Sequence, residues 1–216
     1  MGSNPAIPTM QFGDVVRRRR MVRHYTGKGI DPEKLDRIID AALKAPSAGF
    51  SQGQSFVVVT DAAMRDAVAA IVDEPEYVAQ GFDPWISRAG ALVVCCTSAQ
   101  VYMDRYSLAD KLGPDGSQIE WPVPFWWVDA GCSLMLLLLA ATDEGVASGF
   151  LGLSHGNLVR LRELFGIPAE VSPVGIVTLG ERAPDRKSGS LKRGWRPREQ
   201  VVHKDRWRGG VPPVTW

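Results

Sequence analysis

Five arginines fall within seven residues near the amino terminus, at Arg17, Arg18, Arg19, Arg20 and Arg23, with His24 and Tyr25 directly behind them. Guanidinium groups at this density repel one another and call for solvent, acidic neighbours or a bound anion. Phosphate suits them because it accepts paired, charge-assisted hydrogen bonds. A second basic segment lies near the other end: of the 25 Lys and Arg residues, 6 fall between Arg17 and Lys28 and 10 between Arg182 and Arg208. If the fold joins the two segments they make one anion site. The net charge is nevertheless only +1, which argues against a dedicated nucleic-acid binder, whose surface must supply many unbalanced phosphate contacts.

A different chemistry is offered by Gly152-Leu153-Ser154-His155-Gly156, which fits G-x-S-x-G, the turn that presents a nucleophilic serine in hydrolases. Asp185 and His203 follow in the order of a triad. Against a serine hydrolase stand the absence of an H-G-G-G oxyanion loop and a short chain of 216 residues; the plainer role for Ser154 is to cap a helix. No G-x-G-x-x-G follows a strand and no P-loop is present. His24, His155 and His203 are far apart and pair with no cysteine at ligand spacing, so no metal is expected. Cys95, Cys96 and Cys132 are an odd set, two of them in an apolar run, as expected of reduced core thiols in a cytoplasmic protein.

The elements that must position these groups follow from periodicity. Gln11 to Arg20 suits a short helix that delivers the arginines. Asp31 caps a second helix, Pro32 starts it, Leu35, Ile38, Ile39 and Ala42 line one face, and Pro46 ends it near Ala45. A polar loop, 47–54, precedes a β-branched strand, 55–60, and Asp61 opens another helix. Residues 74–87 show no clean period and suit a surface excursion; 91–96 is a second buried strand; 97–124 is irregular, with a turn at 113–116. From Phe125 to Thr142 the chain is apolar nearly all round, a central helix covered on most sides. Its longest apolar run, Leu134 to Ala141, is far short of the ~20 residues that cross a bilayer, so no membrane segment is expected. An extended stretch at 146–153, a helix at 157–165 and a strand at 173–180 complete the core. No basic-then-apolar leader opens the chain. The domain plan is a flexible segment at 1–10 and a single domain at 11–216 ending in a basic, proline-rich arm from about 183. Strands alternating with helices indicate an α+β layered domain, and the apolar central helix suggests a core shared with a second subunit.

Taken together, Arg19-Arg20-Met21-Val22-Arg23-His24-Tyr25, the loop Ala45 to Gln52, the helix around Trp127-Val128-Asp129-Ala130-Gly131, the run Glu144 to Gly152 and Phe165-Gly166-Ile167-Pro168 resemble the FMN-dependent nitroreductase family, in its order and spacing. The resemblance implies an α+β fold with a central mixed sheet flanked by helices. It further implies an intertwined homodimer with FMN at the interface. It matches Arg19, Arg20 and Arg23 to positions that hold the FMN phosphate and ribityl chain, with Met21 among them. Pro46, Ser47, Ala48, Gly49 and Gln52 match the loop that lines the flavin from the partner subunit. Leu151, Gly152 and Leu153 match a turn whose amides approach the ring, and Arg196, with Arg193 second, a basic return to the phosphate. Implied too are ping-pong transfer of hydride from NAD(P)H through FMN to nitroaromatic, quinone or similar acceptors, and no protein acid, base or nucleophile. A reductive dehalogenase or another flavin-dependent dehydrogenase stays open within the same fold. Among Trp121, Phe125, Trp126, Phe82 and Trp85, the residues Phe125 and Trp126 are the preferred walls of an acceptor pocket. Three positions depart from the family: Met21 where Ser is frequent, Phe50 where Asn is usual, and Gly53-Gln54 in place of Pro-Trp.

Overall fold

The structure, a computed structural model, describes residues 10–184 and 189–210, with the backbone alone at Ser190. It separates into two compact units, Met1–Asp185 and Arg186–Trp216. Of the segment expected to be flexible, only Met10 lies within the described residues; its amide donates to the Asp143 carboxylate at 2.6 Å.

The first unit holds a four-stranded sheet in the order β1-β2-β4-β3, made of β1 (Gln54–Val59), β2 (Ala91–Thr97), β3 (Ala147–Leu151) and β4 (Ser172–Gly180). All three pairings are antiparallel, so among the described residues the sheet is not the mixed one expected. A helix between two strands suggests a parallel crossover. Periodicity carries no strand sense, however, and here both pairs of consecutive strands that neighbour each other, β1 with β2 and β3 with β4, are antiparallel. Strand β2 is buried at every residue, as its run of Val and Cys requires of a strand covered on both faces.

One face packs against α2 (Pro32–Ala42) and α6 (Phe125–Asp143), through Leu35, Ile38, Leu137, Leu138 and Ala141. The other packs against α3 (Ala62–Ile71) and α7 (His155–Phe165), through Val68, Ile71 and Leu161. The caps were legible: Asp31 accepts from Glu33 N at 3.0 Å and Asp61 from Met64 N at 2.9 Å. Helix α1 (Phe12–Arg18) is shorter than expected, so Arg19 and Arg20 lie beyond it. Two helices escape the periodic pattern. In α4 (Glu74–Ala79) the buried Glu74 turns its carboxylate onto the amides of Trp85, at 2.5 Å, Ile86 and Ser87. Helix α5 (Ala99–Tyr106) buries only Tyr102, too little to show a period.

Helix α6 is the one described helix long and apolar enough to cross a bilayer by length and composition, but it packs on α2 and the sheet as a core helix. It is less covered than its sequence suggests. Trp127, Val128, Gly131 and Met135 form an exposed stripe at one-turn spacing.

The carboxyl end of α6 is locked to α2: Arg37 Nε and Nη2 donate to the Glu144 carboxylate at 2.8 and 2.9 Å, and Lys34 Nζ donates to Glu144 O at 2.8 Å. The hydrogen bond from Arg37 holds the Glu144 carboxyl below the usual range. A carboxyl depressed by folding contributes stability above its unfolded pKa, about 4.3 for Glu, and loses it as pH falls through the folded value. Glu144→Gln is expected to lower the melting temperature at pH 7, and the gap to wild type should close below the ordinary glutamate range, as read by circular dichroism melts across pH.

Candidate functional site

Asp129 is the only charged residue between Phe125 and Thr142, and it is buried. A buried carboxylate must be paired. Its Oδ2 accepts from Ala48 N at 2.8 Å and from the Tyr102 hydroxyl at 2.8 Å. Burial, and then the Asp129 carboxylate, push the Tyr102 phenol well above its ordinary range, so it stays a donor. One side chain of α6 thus fixes both α5 and the loop that follows α2.

That loop is tightly determined. Ser47 Oγ accepts from Gln52 N at 2.9 Å, Ser51 Oγ donates to Ala48 O at 2.6 Å, and Arg105 Nε donates to Gly49 O at 3.0 Å. Gly49, Phe50 and Gln52 have φ of 60, 55 and 55°, left-handed values that non-glycine residues rarely adopt. At Phe50 and Gln52 such strain costs about 1–3 kcal/mol each and persists only where the surroundings over-determine it. Gly49 also lies over Tyr106, where a Cβ would fall 2.6 Å from the ring, and a Cβ at Gly53 would fall 2.5 Å from Tyr102. The second contact explains why no proline follows Gln52.

Aromatic rings continue this surface. Tyr106 meets Trp121 at 4.6 Å between centroids, and Trp121 meets Phe125 at 6.0 Å and Trp126 at 5.9 Å. The structure therefore brings the sequence-predicted Phe125 and Trp126 together with the sequence-predicted loop 46–52, all around the first turns of α6. Phe125 is exposed at the surface and Trp126 is half-buried. Two other candidates have different work. Trp85 donates from Nε1 to Thr178 Oγ1 at 2.9 Å, and Phe82 packs edge-on against Tyr77.

The basic segment is anchored elsewhere in the unit. Val22 N donates to Ser148 O of β3 at 2.9 Å. The Tyr25 hydroxyl is 2.8 Å from Thr178 Oγ1 and donates to Val22 O at 3.0 Å. Arg20 Nη1 donates to Arg17 O and Arg19 O, and the Arg23 guanidinium lies 5.3 Å from the centre of the Trp85 ring. Arg19 is half-buried, while Arg20 and Arg23 reach solvent. Met21 turns into the core beside α2 and α6. The same strand leads into Leu151-Gly152-Leu153, where the two leucines pack on the core and Gly152 is exposed, with nothing within 4 Å of where a Cβ would lie. The arginines and the Gly152 turn are thus brought to one strand.

In the second unit, Arg193 ends a turn of 3-10 helix and Arg196 donates to Gln200 O at 3.2 Å; both are exposed. Ser154 is a helix cap: its Oγ accepts from Asn157 N at 3.3 Å. Its φ of −67° and ψ of 159° are ordinary extended values, without the strain of a nucleophile elbow. Asp185 lies outside the described residues, and His203 belongs to the second unit, stacked on Trp207 at 4.1 Å. The hydrolase alternative is left without an elbow. Among the described residues no group of three His, Cys, Asp or Glu side chains is placed to hold a metal ion. Burial pushes the Cys95 thiol up to about 12 and that of Cys96 to about 11, so neither is a ready nucleophile.

Sequence reasoning missed Asp129, Tyr102 and Arg105 as organisers of the loop. A lone carboxylate in an apolar helix was the available signal for the first.

The chain matches the model of the Nitroreductase family over residues 16–181. It is 29% identical to the FMN reductase (NAD(P)H) of Bacillus subtilis over 189 residues, covering 86% of this chain and 70% of the relative. To the oxygen-insensitive NADPH nitroreductase of Salmonella typhimurium it is 27% identical over 193 residues, covering 88% and 71%. The crystal structure of nitroreductase A from Vibrio parahaemolyticus shares the fold, with a TM-score of 0.70 at 23% identity over 93% of this chain and 78% of that one.

Asp129→Ala strands a buried phenol and a loop amide, each worth about 1–3 kcal/mol when left unpaired. It is expected to lower the melting temperature by on the order of 10 °C, and Tyr102→Phe by clearly less. Differential scanning calorimetry of the two variants checks the order.

Proposed function

The chain belongs to the nitroreductase family, and from that premise we propose that it is an FMN-dependent oxidoreductase. In this reading it takes reducing equivalents from NAD(P)H and passes them to nitroaromatic, quinone or similar acceptors in the cytoplasm. The observation that carries it is one strand that brings the arginine segment and the Gly152 turn together: Arg19, Arg20 and Arg23 are held to β3 through Val22, and the strand ends in a turn whose Gly152 faces open space. Relatives named FMN reductase and NADPH nitroreductase support the cofactor and the donor.

The donor set fits FMN. Arg19 and Arg23 supply charge-assisted hydrogen bonds to the phosphate, and Arg20, already braced on two carbonyls, has donors left for the ribityl side. Backbone amides at Leu151–Leu153 would stabilise negative charge on the ring when it is reduced, which glycine permits by allowing close approach. Pro46, Ser47, Ala48, Gly49 and Gln52 of the rigid loop line the ring from a second copy of the chain, and the exposed stripe Trp127, Val128, Gly131 and Met135 is the apolar face that this copy covers. Once bound, FMN supplies the hydride-accepting centre, so the protein needs no acid, base or nucleophile of its own. Donor and acceptor occupy the same open face in turn, in ping-pong fashion.

The purified protein is expected to be a yellow dimer that releases FMN on denaturation; a colourless protein that cannot be reconstituted would sink the proposal. Arg19→Ala and Arg23→Ala should each weaken FMN binding about tenfold or more, from the ~1.5–3 kcal/mol of a charged hydrogen bond. Gly152→Ala, whose new methyl meets open space in the isolated chain, should weaken FMN binding while leaving the apoprotein melting temperature in place. Flavin fluorescence titration and apoprotein melts read both.

A further inference from the structure

Phe50 is 75% exposed and has φ of 55°, a genuine outlier for a bulky side chain. Glycine would adopt this conformation without steric cost, so the backbone gives no reason for an aromatic residue here. Burial within the chain gives none either, since its own residues leave most of the ring uncovered. The loop nevertheless holds it firmly, with Gln52 N on Ser47 Oγ to one side and Arg105 Nε on Gly49 O to the other. Its neighbour Gly49 rests on Tyr106, the first ring of the surface that runs through Trp121 to Phe125. The fold thus gives up stability to hold an aromatic side chain on a constrained loop, one residue from the glycine that rests on that surface.

We propose that Phe50 is a specificity-determining residue: its ring is a stacking face that selects planar aromatic acceptors over aliphatic ones. This rests on the FMN-dependent reading, because the acceptor must come to the same loop as the cofactor. Flat π-faced ligands gain from offset or edge-on contact with such a ring, and the gain requires aromaticity rather than bulk alone.

The test uses the FMN-loaded enzyme in the oxidised state without donor, so that binding is measured without turnover. Isothermal titration compares 1,4-naphthoquinone with cyclohexane-1,4-dione, which carries the same two carbonyls but no aromatic plane. Phe50→Ala and Phe50→Leu should weaken naphthoquinone binding by roughly three- to tenfold. Phe50→Tyr should keep wild-type affinity, with dione binding, FMN content and dimer mass unchanged in all three. Phe50→Gly should raise the melting temperature, because the strain is relieved. The inference is overturned if Phe50→Leu binds naphthoquinone like wild type, if both ligands weaken alike, if Phe50→Gly melts lower, or if the variants dissociate the dimer. It is overturned too if FMN-loaded wild type does not bind naphthoquinone. A wild-type protein that cannot hold FMN removes the functional reading and this inference together, whereas normal FMN binding with Phe50-insensitive ligands removes this inference alone.

Discussion

The carboxylate of Asp129 is the constraint on which the organisation of the loop depends. Buried on α6, it accepts from Ala48 of the loop and Tyr102 of α5, so that three segments distant in sequence share one acceptor. The low local dielectric strengthens such bonds and makes any one of them costly to lose. Because the carboxylate pins Ala48, the residues after it can remain in left-handed conformations. Because it pins Tyr102, the aromatic surface from Tyr106 to Phe125 has a fixed floor.

The second set of candidate residues is organised by main-chain bonding instead. The arginine segment lies along β3, and its path is fixed by Val22 N on Ser148 O and by the Tyr25 hydroxyl buried beside Thr178. Placing the side chains proposed to bind phosphate on an anchored stretch would lower the entropy that an anion would otherwise have to take away on binding. The arginine cluster thus divides along the chain. Arg17 is paired with Asp14 at 2.5 Å on the helix surface, and Arg19 to Arg23 run along the sheet.

How much of this was legible in the sequence follows from what each signal encodes. Strands β1, β2 and β4 and helices α2, α3 and α7 carry burial on one face or in a continuous run, with Asp31, Asp61 and Ser154 as caps, and their positions follow. Strand sense is not written in periodicity, and so an antiparallel sheet replaces the mixed one. Helices α4 and α5 are too short, and their key buried residues, Glu74 and Tyr102, are polar; a pattern built on apolar spacing passes over them. At the site, the arginine segment and the Gly152 turn stand out only by occurring jointly with the other matched segments, in order and spacing. The grip of Asp129, Tyr102 and Arg105 on the loop depends on tertiary contacts between segments 27 to 81 residues apart, which local sequence does not encode. The exposed stripe on α6 shows the same limit: the helix reads as buried because its sequence is apolar, yet this chain alone leaves Trp127 and Met135 uncovered.

The central claim is that the arginine segment of one chain and the loop of another make one FMN site. It is tested most directly by complementation. A chain carrying Arg19→Ala and Arg23→Ala is mixed with a chain carrying Asp129→Ala, the heterodimer is isolated by differential tags, and its bound FMN is titrated. The account predicts that each variant homodimer binds FMN poorly while the heterodimer recovers one site of near wild-type affinity, built from the intact arginines of one chain and the intact loop of the other. A heterodimer that binds FMN no better than its parents would contradict it.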